Sequence, residues 1–333
     1  MTTPPEKLPT LSGSIPPIRE WARTFAIGLC MGSADAVPGV SGGTIALIAG
    51  IYGRLIAMVN AITPDRIVTL LGALTPLGDG FDFREALSIF DEVDGWFGLA
   101  LVAGVGVAVV LITRAVSELA GEVPALLFGF FFGLIAASAV VLLRELSVES
   151  GFQIAAGVVG FTVAFLLSGE IEFLEASGLP VVFVAGAVAV SAMILPGVSG
   201  SLLLIILGQY KFMSDTLSRF IDGLLAPVTG GSAANLVTDG AVVVTFIAGG
   251  FVGLFTISRV VRRALDRNRR ATMTFLVALV VGALRAPIVE TRGATPSGFT
   301  GEVLFAFVAA AVVGSVFLLV LDWYAVDLDL DSV

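Results

Sequence analysis

The sequence predicts an all-α polytopic membrane protein built from two inverted-topology repeats, each a re-entrant broken-helix hairpin plus three transmembrane helices. Three observations carry that prediction. The chain is 57% hydrophobic and 14% charged, with a mean hydropathy of +1.01, whereas a soluble domain is about one quarter charged. Six stretches are apolar over close to the ~20 residues that a spanning helix needs. The pentapeptide Pro-Gly-Val-Ser-Gly occurs twice, each time inside a further apolar region.

Residues 1–20 are polar and Pro-rich and read as a tail. They lack the basic start and short apolar run of a removable targeting segment. The first repeat, 21–168, opens with Trp21 to Asn60, interrupted at Pro38 about where a straight helix would reach mid-membrane. The loop Thr63 to Val93 follows, and Phe81 to Trp96, mixing apolar and acidic residues, reads as an interfacial amphipathic helix. Trp96 to Ala115, Pro124 to Leu143 and Gly151 to Ser168 are the first three spans. The second repeat, 169–321, opens with Leu179 to Leu217, interrupted at Pro196, and continues with spans Ala241 to Ile257, Ala271 to Ile288 and Val303 to Leu321. Residues 322–333 form an acidic tail, with Asp327, Asp329 and Asp331, on what is a single integral membrane domain.

The repeat rests on an offset of 158 residues. It superposes Pro38 on Pro196, Gly39 on Gly197, Val40 on Val198, Ser41 on Ser199 and Gly42 on Gly200. Upstream it pairs Ser33 with Ser191 and Ala34 with Ala192; downstream it pairs Gly50 with Gly208 and Tyr52 with Tyr210. Past the loops the offset contracts, and Arg114 in LITRAV parallels Arg259 in TISRVV. Internal symmetry on this scale is typical of transporters. Three crossings per half is an odd number, so the second half must be inverted. The basic linker Arg259, Arg262, Arg263, Arg267, Arg269 and Arg270 belongs in the cytoplasm by the positive-inside rule. That anchor puts both termini inside, with thirteen of the eighteen basic residues. Full spans in place of hairpins keep the same parity, so charge does not separate the two.

In hydrocarbon, a non-helical stretch must be buried in protein or line a wet cavity. The helices expected after each break, Gly43 to Asn60 and Ser201 to Leu217, aim their first N–H groups back into it. Helix N-termini attract anions, glycines permit close approach, and Ser41, Thr44, Ser199 and Ser201 add hydroxyl donors. The candidate phosphate site is therefore Pro38, Gly39, Val40, Ser41, Gly42, Gly43 and Thr44 with Pro196, Gly197, Val198, Ser199, Gly200 and Ser201. The competing reading is that the prolines only kink helices and the glycines only pack. Two symmetric copies, each with Ser, favour the site.

Arg114 and Arg285 lie within or near spans, where an ion is costly and usually functional; both are candidates to pair with an anion, although a helix-end arginine also snorkels. Asp35, three residues before Pro38, has Met193 as its counterpart, and Glu118 lies one turn after Arg114. These acids are candidates for carrying a proton, against a bland role in capping a turn. With no histidine and a single cysteine, Cys30, metal and His-based chemistry are not expected and no cofactor is implied. Two lysines, Lys7 and Lys211, against sixteen arginines and a net charge of −9 resemble the acidic, Lys-poor proteins of salt-loving organisms such as halophilic archaea.

The stretch GSADAVPGVSGGTIALIAGIYGRLI, Gly32 to Ile56, with ILPGVSGSLLLIILGQY, Ile194 to Tyr210, resembles the polyprenyl-phosphate transporters of bacteria and archaea. The resemblance covers about Trp21 to Leu321. It implies flipping of an undecaprenyl or dolichyl phosphate carrier lipid across the cytoplasmic (cell) membrane for recycling, and carries over only Pro38 to Thr44 and Pro196 to Ser201. The implied partners are that lipid and the bilayer's lipids, with no nucleic acid. The chief rival is a membrane polyprenyl-pyrophosphate phosphatase. Those enzymes continue a related motif as Pro-Gly-x-Ser-Arg-Ser, but Gly42 and Gly200 stand where the clamping arginine belongs. A small-anion or ion transporter is the second rival.

Overall fold

A computed structural model describes residues 16–63, 65–66, 68–69, 72, 83–144, 146–169, 178–192, 199–230, 232–295 and 298–330. Every element among them is helical: α1 (Ile18–Ala36), α2 (Gly42–Ile48), α3 (Tyr52–Ala61), α4 (Phe83–Glu92), α5 (Gly95–Glu122), α6 (Pro124–Arg144) and α7 (Gly151–Leu167) in the first half. The second half has α8 (Leu179–Ala192), α9 (Gly200–Ile206), α10 (Tyr210–Thr229), α11 (Leu236–Ala283), α12 (Arg285–Ala294) and α13 (Gly301–Leu330). Five stretches among the described residues are long and apolar enough to span a bilayer: Gly95–Glu122, Pro124–Arg144, Leu236–Val261, Arg263–Ala294 and Gly301–Tyr324. The expected span at Gly151 is shorter, 17 residues or about 25 Å at 1.5 Å per residue.

The helices expected to restart after the breaks are shorter than the sequence suggested. In place of a single helix to Asn60, α2 has seven residues and meets the helix Tyr52–Val59 at 119°. In place of a single helix to Leu217, α9 has seven residues and α10 begins at Tyr210. The cause is a Schellman turn in each copy. Gly50 N–H donates to the Leu47 carbonyl and Ile51 N–H to Ala46; in the second copy Gly208 donates to Ile205 and Gln209 to Leu204. The turn needs a left-handed residue, and Gly50 and Gly208 supply it at φ 69° and 65°. An alanine there would cost about 1–2 kcal/mol, so Gly208→Ala is expected to lower the thermal midpoint of the purified protein by a few degrees, read by scanning fluorimetry. Both short helices and both following helices start 158 residues apart, so the offset is one of local structure as well as of sequence.

The chain divides into two compact units, Met1–Gly32 with Ile45–Ala108, and Ser33–Thr44 with Val109–Val333. In the first, Gly28 and Gly32 of α1 lie against the backbone of Leu101 and Val105 on α5, and Gly104 lies against Phe25. Met31, Ala46, Phe97 and Leu101 form the core there. The amphipathic α4 buries Ala86, Leu87 and Ile89, and the Trp96 indole donates to Asp91 at 2.9 Å. Arg54 pairs with Asp94 through two hydrogen bonds of 2.5 and 2.8 Å and lies over the Phe97 ring.

In the second unit the helices pair along small-residue seams, which let backbones approach where hydrophobicity gives helices in lipid little reason to associate. α6 runs along α13, with Gly129 and Gly133 against Phe307 and Ala311 and Gly314 against Phe130. α8 packs on the first limb of α11 through Gly186, Gly249 and Gly253. α7 packs on its second limb through Gly160 and Gly282. The pairing is reciprocal: α6 of the first half takes α13 of the second, and α7 takes α11. The basic linker expected between two spans is itself helical, and α11 bends within it at Asn268, φ −156° and ψ 84°. The Asn268 side chain caps the second limb by accepting from Ala271 N–H at 3.1 Å.

Candidate functional site

The first break begins where α1 ends. Asp35, in its last turn, accepts the Gly42 amide on Oδ1 at 2.7 Å, closing the segment 36–41 into a loop tied at both ends. A Cβ on Gly42 would collide with that carboxylate. Pro38 is fully buried, and Gly39, φ 89°, lies against the backbone of Leu134 on α6. Val37 and Val40 pack on the core made by Phe131, Leu134, Ile205 and Tyr210. Ser41 is half-buried, and Gly43 and Thr44 fall in the first turn of α2, Thr44 exposed.

In the second copy Pro196, Gly197 and Val198 lie outside the described residues, as does Met193. Ser199, Gly200 and Ser201 are buried, and the two hydroxyls share a hydrogen bond of 2.7 Å. Leu202 and Ile206 pack with Ile135, so α6 supports both breaks at adjacent residues, Leu134 and Ile135.

The two copies meet directly. The Tyr210 hydroxyl, at the start of α10, donates to the Ala36 carbonyl at 2.7 Å, across 174 residues of chain. A cavity of about 340 Å³ lies beside this link. Asp35 and Ala36 line it from the first break, Gly200, Ser201 and Leu204 from α9, and Tyr210 and Ser214 from α10. Thr113 on α5 faces the same space, and Phe246 and Ile247 on α11 help to make its wall largely apolar. Asp35 is the single charged side chain among the described lining residues.

Of the residues singled out in the sequence, this cavity gathers Asp35, Gly200 and Ser201, with Ser199 bonded behind Ser201. Arg114 lies one residue past Thr113 and forms an ion pair with Asp222 on α10; its Nε is buried with no acceptor among the described residues. Three residues on, Ser117 bonds Asp215, a second tie between α5 and α10. Glu118 is exposed on α5. Arg285 sits elsewhere, donating to the Phe165 carbonyl at 2.6 Å and lying over the Phe165 ring. Tyr210, Thr113 and Ser214 were not anticipated as site residues. Tyr210 carried a signal, its match with Tyr52, and Ser214 follows it by one helical turn on α10.

A family model described as undecaprenyl phosphate translocase-like matches residues 31–302. A polyprenyl-phosphate transporter of Vibrio cholerae serotype O1 is 33% identical over 267 residues, 78% of this chain and 75% of the relative. A protein of the same name from Staphylococcus aureus is 27% identical over 272 residues, 78% of this chain and 83% of the relative. No solved structure matches.

Proposed function

The chain belongs to the undecaprenyl phosphate translocase-like family, and from that premise we propose that it flips a polyprenyl-phosphate carrier lipid across the cytoplasmic membrane, the headgroup passing through the cavity where the two broken helices meet. The observation that carries this reading is the convergence of Asp35 and Ala36 with Gly200 and Ser201 on one space, pinned by Tyr210. A phosphomonoester bears about −1.5 to −2 charges at neutral pH, so its headgroup cannot cross lipid unaided. At about 340 Å³ the cavity is at the small end of ligand sites, roughly 300–1,000 Å³; it suits a headgroup, with the isoprenoid tail left in the bilayer. The equal offset of the two breaks and the reciprocal helix pairing support two halves that rock about this point as an inverted pair, each break re-entrant.

The cavity's electrostatics favour a proton as the second passenger. The hydroxyls of Ser201, Thr113 and Ser214 can bond phosphate oxygens, but Asp35 is the one charged group facing them among the described lining residues. A carboxylate and a phosphate dianion repel. A proton held between them turns that repulsion into a hydrogen bond and removes charge from the cargo, which otherwise costs about 2.3 kcal/mol per charge per 100 mV to move against the membrane potential. Arg114 acts at the rim: its unaccepted Nε is available to a phosphate oxygen when Asp222 lets go, and parting of the α5 to α10 ties opens the cavity.

Reconstitution into liposomes with polyprenyl phosphate tests this, reading headgroup exposure on each leaflet over time. The paired variant Ser199→Ala with Ser201→Ala is expected to slow translocation at least about tenfold, the loss of roughly one or two phosphate hydrogen bonds. Rates equal to wild type in that variant would remove the headgroup from this cavity.

A further inference from the structure

A second cavity, of about 530 Å³, lies in the bend of α11 and shares no lining residue with the first. Phe152 and Ala156 of α7 line it with Ala271 and Phe275 of the second limb of α11, and Ala264, Arg267, Asn268 and Thr272 complete the lining. The non-helical backbone at Asn268 sets the two limbs at an angle and leaves this groove beside α7. Arg267 is exposed, and among the described residues no ion pair engages it or its exposed neighbour one turn back, Arg263. Arg270, next in the chain to Ala271, is already neutralised by Glu149 at 2.5 Å. Six arginines stand between Arg259 and Arg270 against one acid, Asp266.

We propose that this groove binds an anionic phospholipid of the surrounding bilayer, one acyl chain lying on Phe152, Ala156 and Phe275 and the headgroup phosphate resting on Arg267 and Arg263. The chemistry is that of two surfaces meeting at one edge. An apolar trough open to lipid accepts a chain, and uncompensated guanidinium groups at its end accept phosphate oxygens. The charge excess selects a net negative headgroup over a zwitterionic one, whose own cation would face the arginines. The groove shares no lining residue with the first cavity, so a lipid held here leaves that cavity free. A lipid wedged there holds the bend that joins the two limbs of α11, which pack on α8 and α7.

Native mass spectrometry of the full chain in detergent tests this, titrating phosphatidylglycerol, phosphatidylcholine and a polyprenyl phosphate in parallel. Phosphatidylglycerol is expected to bind at least about fivefold more tightly than phosphatidylcholine, and Arg267→Gln to lose about fivefold, the factor one phosphate contact near the bilayer surface supplies. Arg19→Gln, an exposed arginine elsewhere, is expected to change nothing. Ala156→Leu, which fills the trough while keeping every charge, is expected to lower occupancy as well. Equal binding of the two phospholipids, equal behaviour of the Arg267 and Arg19 variants, or no effect of filling the trough overturns the proposal. So does polyprenyl phosphate displacing phosphatidylglycerol with the same dependence on Arg267, which assigns the groove to the cargo. The readout is lipid occupancy, so it stands or falls apart from transport.

Discussion

Asp35→Ala is expected to slow headgroup translocation by at least about tenfold in the liposome assay, and Asp35→Asn to separate the loop-holding role of the carboxylate from the proposed proton-carrying one. The alanine variant leaves the Gly42 amide without its 2.7 Å acceptor inside a partly buried loop, a loss of about 1–3 kcal/mol, and so loosens the loop that carries Pro38 and Gly39. The asparagine variant keeps an oxygen for that amide but cannot carry a proton. If Asp35 serves only to hold the loop, Asp35→Asn transports like wild type, and proton coupling through this residue is excluded. If the carboxylate shares a proton with the phosphate, Asp35→Asn is slow despite a wild-type melting curve, and its residual rate no longer responds to a pH gradient.

Gly133→Leu is expected to have the largest effect on stability. The α6 to α13 seam brings Ala311 so near that even a single Cβ on Gly133 would overlap its carbonyl, and Gly129 and Gly314 lock the same interface. Ser315 donates to the Gly133 carbonyl at 3.0 Å across the seam. A leucine must force the helices apart, at about 3 kcal/mol or more. Because α6 carries Leu134 and Ile135, which support both breaks, transport falls with it. Loss of monodisperse protein and a midpoint lower by several degrees are the readouts. Gly121→Leu, on α5 where a side chain would meet open space, is the matched control and should melt like wild type.

Much of this architecture could be read from residues alone because the code is local. The first copy of Pro-Gly-Val-Ser-Gly marked the break between α1 and α2, and the 158-residue offset paired helix starts that the fold also pairs, Gly42 with Gly200 and Tyr52 with Tyr210. Gly50 and Gly208 were visible as matching positions, yet their meaning was not. A glycine inside an apolar run reads equally as helix packing or as a left-handed turn, and only backbone hydrogen bonding separates the two. The lining of the candidate site was legible in part for a different reason. Asp35, Ser199 and Ser201 adjoin the motif, so proximity in sequence found them. The link from Tyr210 to Ala36 spans 174 residues, and the pairing of Arg114 with Asp222 spans 108. No periodicity in either segment encodes such partners, since they are set by how helices stack.

The reciprocal seams also set a timetable for biogenesis. Gly133 must wait for Ser315, 182 positions later. At about 5–20 residues per second of synthesis, α6 therefore stays in the membrane or translocon for roughly ten to forty seconds with its glycine face unmatched. A nascent chain stopped before α13 would present that open seam as a persistent defect, a handle by which chaperones or membrane proteases can tell an unfinished molecule from a finished one.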